Sequence, residues 1–438
     1  MKTRIARSRY LFWMAAIGLL LAGAAAFAQE QSEISVAMWS GPEYDNLVNT
    51  AAEFEQATGH TVVIREIARE AYRDVITTRL LAGSPEFDVV YVDSSWVPAY
   101  VQAGVLEPLD GFIEARDPDV SPLLLEELEP ALDYLRVDGM IYGFPSEGDT
   151  VFFFYRTDLL EEAGLDVPQT WDEFLDAAIT LTVDETGDGR TDRYGAVIGA
   201  RTDEASWDFM HYFFGFGCDI IDENYNPIVN NECGVEALEF YAGLRLDHEV
   251  VPPDVAAFGY SEILTAFQQD RAAMAIQWMA ALPTFSDPDE SPLIQGVFDY
   301  TETPGRLVDG EVVRGVGGSQ WAWLMPLASA NKEGAFAFLE WIASKEGATV
   351  WALNGGIPSN VAALNDPAVL EEMPQFELLA TMFPYRKLFP QTTVSFEMFM
   401  AFAEAVNAAV AGTQTAQEAL DQAAATMETH LRRGDYIE

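Results

Sequence analysis

Short apolar runs of strand length alternate along this chain with segments whose apolar residues recur at helical spacing. Residues 34–38 form the first apolar run, residues 47–54 carry apolar side chains at helical spacing, and residues 61–67 form a second run. The run at residues 88–92 is apolar almost throughout, as expected for a strand that is buried on both faces. Strands that alternate with helices in this way predict an α/β fold with mostly parallel sheets.

The same alternation continues to the end of the chain. Thr170 and Glu173 have the spacing of a capping box at the start of a helix, and Thr415 and Glu418 repeat it before the last helix. The sequence has no repeat at a fixed period and no Pro- or Ser-rich linker, so we expect two lobes joined by crossing strands rather than by a tether. Further strands are predicted at residues 140–144, 151–155, 272–277 and 321–325.

The charge of the chain is strongly unbalanced. Lysine and arginine number 24 against 70 aspartate and glutamate residues, for a formal net charge of -46 at pH 7. Such a field repels nucleic acid and anionic membrane surfaces, so we exclude both as partners. It also destabilises the compact state by self-repulsion, which salt screens. We therefore interpret the chain as halophilic, with an ordinary acidic secreted protein as the alternative.

The first 28 residues have the pattern of a secretory signal peptide. A positive stretch with Lys2 and Arg4 precedes an apolar core at residues 11–21, and Ala26, Phe27 and Ala28 supply the small-residue cleavage site. An uncleaved anchor is the alternative, because residues 11–28 carry no charge. No cysteine stands at the cleavage point to carry a lipid. We predict an exported chain, periplasmic or extracellular, that is soluble after cleavage.

The chain has two cysteines, Cys218 and Cys233. Residues 219–222 and 227–229 look like two short strands around a turn, and such a hairpin brings its ends within bridging distance. Because export supplies an oxidising compartment, we predict a structural disulfide between the two.

Several short motifs follow one another in a definite order after residue 28. They lie at residues 88–96, 104–109, 142–145, 154–159, 163–165, 168–174, 267–274, 317–321 and 355–359. In order and spacing, they resemble the extracellular solute-binding proteins of ABC importers, in the sugar-binding family 1 to which maltose-binding protein belongs. Each motif alone has little specificity, but the set covers nearly the whole of the chain after the signal.

The resemblance implies the type II two-lobe fold of periplasmic binding proteins, in which each lobe is a mostly parallel sheet flanked by helices. It places residues 32–144 and 280–345 in the first lobe and residues 150–278 and 350–438 in the second, with a hinge of crossing strands and a ligand cleft between them. It also implies a monomeric binding protein without enzymatic activity, which captures a solute by lobe closure and delivers it to a membrane permease.

Candidate ligand-binding residues follow the predicted strands and lobe crossings, because ligands of open α/β sheets bind beyond the carboxyl ends of strands. Phe152, Phe153 and Phe154 are expected in the core instead. Solvated loop acids at residues 93 and 147, and an internal salt bridge at residue 386, are the alternatives for those positions. The candidates are Trp39, Ser40, Tyr44, Asp93, Ser94, Trp96, Glu147, Trp278, Gly318, Trp321 and Arg386.

Aromatic and acidic side chains suit a neutral sugar or polyol, whose C–H faces rest on rings and whose hydroxyls donate to carboxylates. The same side chains suit a cation, such as a polyamine or quaternary ammonium, through cation–π contacts. A third alternative is a glycosidase that uses two carboxylates. Pairs of carboxylates arise by chance in so acidic a chain, so they carry little evidence for this activity. Calorimetry on sugars and on cations would separate the first two ligand classes.

An Asp/Gly-rich loop at residues 184–192 is similar to a calcium loop, with oxygen donors at Asp184, Thr186, Asp188 and Asp192. Its twelfth position is Gly195, so the bidentate glutamate of an EF-hand is missing, and an ordinary surface turn is the alternative. The four histidines are scattered, and we find no nucleophile elbow, phosphate loop or dinucleotide fingerprint. We therefore predict no cofactor, with calcium as the one candidate metal.

Molar NaCl should raise the denaturation midpoint of the purified chain relative to low salt, because salt screens the repulsion among its carboxylates. Urea unfolding at both salt concentrations measures this. A midpoint that is indifferent to salt would contradict the halophilic interpretation.

Overall fold

The computed structural model describes residues 32–116, 121–129 and 131–438. The predicted signal peptide, residues 1–28, lies outside the described residues. The strands are β1 (Glu33–Trp39), β2 (Thr61–Ile67), β3 (Val89–Asp93), β4 (Arg136–Val137), β5 (Met140–Ile141), β6 (Gly143–Glu147), β7 (Val151–Arg156), β8 (Tyr194–Val197), β9 (Ala272–Trp278), β10 (Phe298–Thr301), β11 (Arg306–Val308), β12 (Glu311–Val313), β13 (Val316–Gly317), β14 (Trp321–Leu324) and β15 (Arg386–Lys387).

Helices connect these strands and cover the faces of the sheets. Among the described helices, none is both long enough and apolar enough to cross a bilayer. They are α1 (Pro42–Thr58), α2 (Tyr72–Leu81), α3 (Val97–Gln102), α4 (Asp110–Glu114), α5 (Ser121–Leu128), α6 (Thr157–Ala163), α7 (Trp171–Leu181), α8 (Ala205–Gly215), α9 (Glu232–Leu246), α10 (Tyr260–Gln268), α11 (Leu282–Ser286), α12 (Lys332–Ala343), α13 (Lys345–Leu353), α14 (Val361–Leu364), α15 (Pro367–Glu372), α16 (Gln375–Met382), α17 (Ser395–Val410) and α18 (Ala416–Arg433).

The first sheet has the strand order β2-β1-β3-β14-β6. Strand β1 pairs in parallel with β2 and β3, whereas β14 pairs antiparallel with both β3 and β6. All five residues of β3 are buried, which explains why its run lacks the polar alternation of a half-exposed strand. Tyr91, Phe144 and Trp323 are fully buried between the sheet and its helices. Truncating a ring of this kind to alanine typically costs about 3–5 kcal/mol.

The second sheet has the order β10-β7-β9-β8 and its own hydrophobic core. Strands β8 and β9 are parallel, but β7 runs antiparallel to both β9 and β10. Phe152, Phe153 and Phe154 are fully buried, as expected for core residues. The α/β prediction is therefore confirmed, and one strand in each sheet, β14 in the first and β7 in the second, runs against the others. In the first sheet, β14 enters from the second lobe and runs opposite to β6, which leads out to the second lobe.

The chain passes between the two sheets where β6 leads into β7 and again where β13 leads into β14. These two passages lie side by side, because Thr150 pairs with Gly318 and the Thr150 hydroxyl donates to the Gly317 carbonyl at 2.7 Å. A third passage falls within α13, where Trp351 packs in the first core and Ala352 in the second. Three neighbouring passages are the arrangement expected of a hinge.

The second predicted lobe boundary does not follow the sheets. Residues from 280 onward were assigned to the first lobe, yet Leu282, Phe285 and Ile294 belong to the second core, and β10 pairs with β7. The chain returns to the first sheet only after β13. The physical reason is that β10 forms the edge strand of the second sheet, and none of its four residues is fully buried, so the strand gives little signal in the sequence. The lobe division as a whole stays a prediction.

The predicted disulfide is present between Cys218 and Cys233. The segment between them is a loop closed by the Ile221–Pro227 bridge rather than a hairpin of two regular strands. The bond joins the end of α8 to the first turn of α9, and Cys218 is buried in the second core.

Replacing both cysteines with alanine should lower the free energy of unfolding by about 3 kcal/mol, because a cross-link closing a loop of this size removes that much entropy from the unfolded chain. Urea denaturation of the double variant measures the effect. Reduced wild type is the control and should show the same loss. An unchanged midpoint in both would show that the bond does not stabilise the fold.

Candidate functional site

A cavity of about 400 Å³ lies between the two cores. Helix α1 of the first lobe contributes Glu43, Asn46 and Asn49, whereas α10 of the second contributes Tyr260. The hinge residue Glu147 lies on the wall between them. Most of these side chains can donate or accept hydrogen bonds. The remaining lining residues are Ala280, Pro283, Thr284, Trp351, Leu353, Asn354, Gly355, Gly356, Ile357 and Met373.

Three of the predicted tryptophans form one aromatic cluster at the carboxyl edge of the first sheet. The Trp39 and Trp321 ring centroids are 4.5 Å apart, and those of Trp96 and Trp321 are 5.6 Å apart. Tyr91 completes the cluster at 5.1 Å from Trp39. This cluster adjoins the cavity, because the Tyr91 hydroxyl donates to Glu147 Oε2 at 2.7 Å. The structure thus brings Trp39, Trp96, Trp321 and Glu147 together.

Trp278, the fourth predicted tryptophan, belongs to the other lobe. It ends β9 and packs against Trp207 at 5.8 Å and His211 at 5.0 Å in the second core. Ala280, two residues further along the chain, lines the cavity, so Trp278 lies near the cleft. The predicted aromatic residues are therefore divided between the two lobes.

Two arginines that the sequence analysis missed lie between the lobes. The Arg69 guanidinium carbon is 5.4 Å from the ring centroids of both Trp39 and Tyr260. That of Arg73 is 5.3 Å from the Trp96 centroid and 3.1 Å from the Phe396 centroid. Both arginines follow the carboxyl end of β2, so the strand-end rule that selected Trp39 and Trp96 applies to them as well.

Several buried polar atoms at this edge have no partner among the residues that the structure describes. They are Trp39 Nε1, Glu43 Oε2, Arg73 Nε and Ser94 Oγ. The other carboxylate oxygen of Glu43 lies 3.4 Å from Arg69. Buried polar groups in folded proteins are nearly always hydrogen-bonded to protein or to ordered water, so these donors and acceptors are available to a ligand or to water.

The acids predicted at the strand ends are buried rather than solvated. Burial raises the pKa of Glu147 to about 8, and the nearby Glu43 charge adds to the effect. Burial also raises the pKa of Asp149 well above its usual range, with the Glu147 charge as the second cause. The pKa of Asp93 rises to about 6 through burial, although its carboxylate accepts the Ser95 backbone N–H at 2.9 Å.

The remaining predicted residues have local structural contacts. The Ser40 backbone N–H donates to the Ile67 carbonyl at 2.8 Å, and Tyr44 packs on the first core. A Cβ at Gly318 would lie 2.5 Å from Arg386, so only glycine fits beside this side chain. Arg386 donates to the Asp149 and Ser319 carbonyls, each at 3.4 Å. These contacts are to backbone groups of the hinge and not to a carboxylate.

The Asp/Gly-rich loop is closed by its own backbone. Asp184 accepts the N–H groups of Gly187 at 2.7 Å and Gly189 at 2.8 Å, and Asp192 accepts that of Thr186 at 2.9 Å. In the described part of the chain, no group of three or more His, Cys, Asp or Glu side chains could hold a metal ion. Nothing in this geometry supports the calcium prediction over the surface turn.

The stability contributed by the buried acids should fall as pH rises. Their folded-state pKa values lie above the unfolded values, so the native state binds more protons between about pH 4 and pH 8. For Glu147, with a pKa of about 8, we expect the wild type to lose about 2 kcal/mol more than Glu147→Gln between pH 6 and pH 8. Chemical denaturation at the two pH values measures this difference.

Glu53→Gln is the matched control, because it removes an exposed carboxylate from α1 and should keep the pH dependence of the wild type. If Glu147→Gln and wild type lose stability in parallel, Glu147 is ionised in the folded protein at neutral pH.

Known proteins resemble the chain over most of its length. Residues 40–349 match the family model of bacterial extracellular solute-binding proteins. A probable amino-acid ABC transporter periplasmic-binding protein of Sinorhizobium fredii is 23% identical over 433 residues, which cover 94% of each chain. The mannitol-binding protein of Pseudomonas aeruginosa is 25% identical over 284 residues, covering 62% of this chain and 60% of its own.

Among solved structures, an ABC transporter solute-binding protein from Agrobacterium radiobacter K84 in complex with ribitol superposes with a TM-score of 0.78. It is 25% identical, and the match covers 91% of this chain and 98% of that one. This likeness confirms the two-lobe α/β fold. The family binds solutes and does not convert them, in agreement with the expectation of a chain without enzymatic activity. The motifs, the fold and the family match agree that this chain is a member of the bacterial extracellular solute-binding proteins.

Proposed function

We propose that this chain is the extracytoplasmic binding component of an ABC importer, which captures a neutral carbohydrate or polyol by closing its lobes and delivers it to a membrane permease. The observation that carries the proposal is the set of buried, unpartnered polar atoms on Trp39, Glu43, Arg73 and Ser94. Ligand hydroxyls can serve both the donors and the acceptors in this set, because each hydroxyl donates one hydrogen bond and accepts two.

The cavity has the size and lining that a small hydroxylated ligand requires. Its volume of about 400 Å³ lies within the range of small-molecule sites. Asn46, Asn49 and Asn354 present amide groups, and Tyr260 presents a phenol. The aromatic cluster adjoins this lining. Trp39 and Trp96 face Arg69 and Arg73, and Trp321 supplies ring surface for C–H groups.

The protonation of the buried acids favours a neutral ligand over a cation. The pKa of Glu147 is about 8, so this carboxyl is largely uncharged at pH 7, and burial raises the pKa of Asp149 as well. An uncharged carboxyl hydrogen-bonds to a hydroxyl but offers little attraction to an ammonium group. The cationic alternative therefore loses the negative charge of Glu147, on which it depends.

The ligands of two related proteins support the same ligand class. One relative is a mannitol-binding protein, and one structural neighbour is complexed with ribitol, so both take acyclic polyols. The relative from Sinorhizobium fredii is assigned to amino acids, which places amino acids in any test of ligand class.

Isothermal titration calorimetry of the purified chain at high salt should show binding to a polyol or sugar and none to choline, spermidine or amino acids. The panel would hold mannitol, ribitol, mono- and disaccharides, and these three kinds of charged compound. Tight binding of a charged compound, with no response to any neutral one, would replace the proposed ligand class.

Removing the unpartnered groups should weaken binding of the best neutral ligand in that panel. Ser94→Ala should raise Kd about fivefold, because a neutral hydrogen bond contributes about 1 kcal/mol. Glu43→Gln should raise Kd about tenfold or more, because hydrogen bonds to charged groups are stronger. Thr429→Val, which removes an exposed hydroxyl from α18, is the control and should leave Kd unchanged. Equal Kd values for all four proteins would place the ligand elsewhere.

A further inference from the structure

Arg69 and Arg73 each lie between an aromatic ring of the first lobe and one of the second. Trp39 and Trp96 pack with the first core. Tyr260 begins α10 and Phe396 lies in α17, two helices whose buried residues belong to the second core. Each guanidinium is therefore within cation–π distance of one ring from each lobe.

We propose that Arg69 and Arg73 are specificity-determining residues that exclude cationic ligands from the cleft. Their contacts with rings of both lobes also stabilise the closed state around a neutral ligand. This inference rests on the proposed function, because it concerns the ligand class of the same site. The guanidinium groups of the two residues occupy the aromatic faces to which a quaternary ammonium or a polyamine would otherwise bind.

Two effects exclude a cationic ligand: the positive charges of the arginines repel it, and their guanidinium groups occupy the aromatic faces. A cationic ligand gains its affinity from the open face of an aromatic ring, and the rings of Trp39, Tyr260, Trp96 and Phe396 already face a guanidinium. Such a ligand must displace an arginine or approach two fixed positive charges. The acids that attract these arginines are Glu43 and Glu204 near Arg69, and Asp74 and Glu397 near Arg73.

The same contacts favour closure around a neutral ligand. They join residues of different lobes, so they form only when the lobes approach each other. Arg73 also keeps its Nε buried and without a partner among the described residues, which leaves a donor for a ligand hydroxyl. A neutral polyol therefore adds to the arginine contacts, whereas a cation competes with them.

Calorimetry of the full chain with choline and with mannitol tests the proposal. The Arg69→Gln/Arg73→Gln variant should bind choline at least about tenfold more tightly than wild type does, because four aromatic faces become available and two positive charges are lost. If mannitol binds the wild type, its Kd should rise at least about tenfold in this variant. The Arg69→Lys/Arg73→Lys variant keeps both charges and should still reject choline.

The matched control is Arg79→Gln/Arg116→Gln. It removes two arginines from the first lobe, of which Arg79 pairs with Glu86 and Arg116 lies over Phe336 within that lobe. This control should reject choline as wild type does. Circular dichroism melts of all variants confirm that each is folded.

The outcomes separate this proposal from the proposed function. Choline binding by wild type, or no gain of choline binding in the glutamine variant, overturns the exclusion. Equal gains in the lysine and glutamine variants overturn it too, because the retained charge would then have no effect. A gain confined to the glutamine variant supports the exclusion even if no neutral compound binds the wild type, a result that would refute only the neutral-ligand function.

Discussion

Strand β14 lies between β3 and β6 and runs antiparallel to both, and the site depends on this register. Trp321 is the partner of Asp93 on one side and of Glu147 on the other. Two strands thus end where a third begins, and their polar and aromatic side chains meet at one edge. Trp39 reaches the same edge because β1 pairs in parallel with β3. A one-residue slip of β14 would turn Trp321 to the opposite face and away from this edge.

The same edge is also the hinge. Glu147 and Trp321 stand at the two adjacent passages between the sheets, and Gln320 donates to the Glu147 carbonyl at 3.0 Å. The residues that we propose as ligand contacts are therefore continuous with the residues of the proposed hinge. This continuity gives a physical route by which ligand contacts bias the lobes toward closure, because contacts made only in the closed state shift its population.

Strand-end reasoning selected residues that the structure brings together. It selected Trp39, Trp96 and Trp321, which pack together, and Glu147, which lies on the cavity wall. It did not select Arg69 or Tyr260, because Tyr260 begins a helix of the second lobe, far along the chain from Arg69. The return of the chain near residue 280 was misplaced because the short, half-exposed strand β10 carries almost no signal of its sheet.

The sequence by itself determined the alternation of strands and helices, the order of the family motifs, the acidic surface and the side chains that follow each strand. Those features depend on local spacing and composition, so they can be read from the chain without knowing its path. Only the tertiary structure decided that Arg69 and Arg73 lie between rings of both lobes, that Glu147 is buried beside Glu43, and that β10 joins the second sheet. These contacts depend on how segments that are distant in sequence pack together. Neither the periodicity nor the composition of the chain indicates that packing.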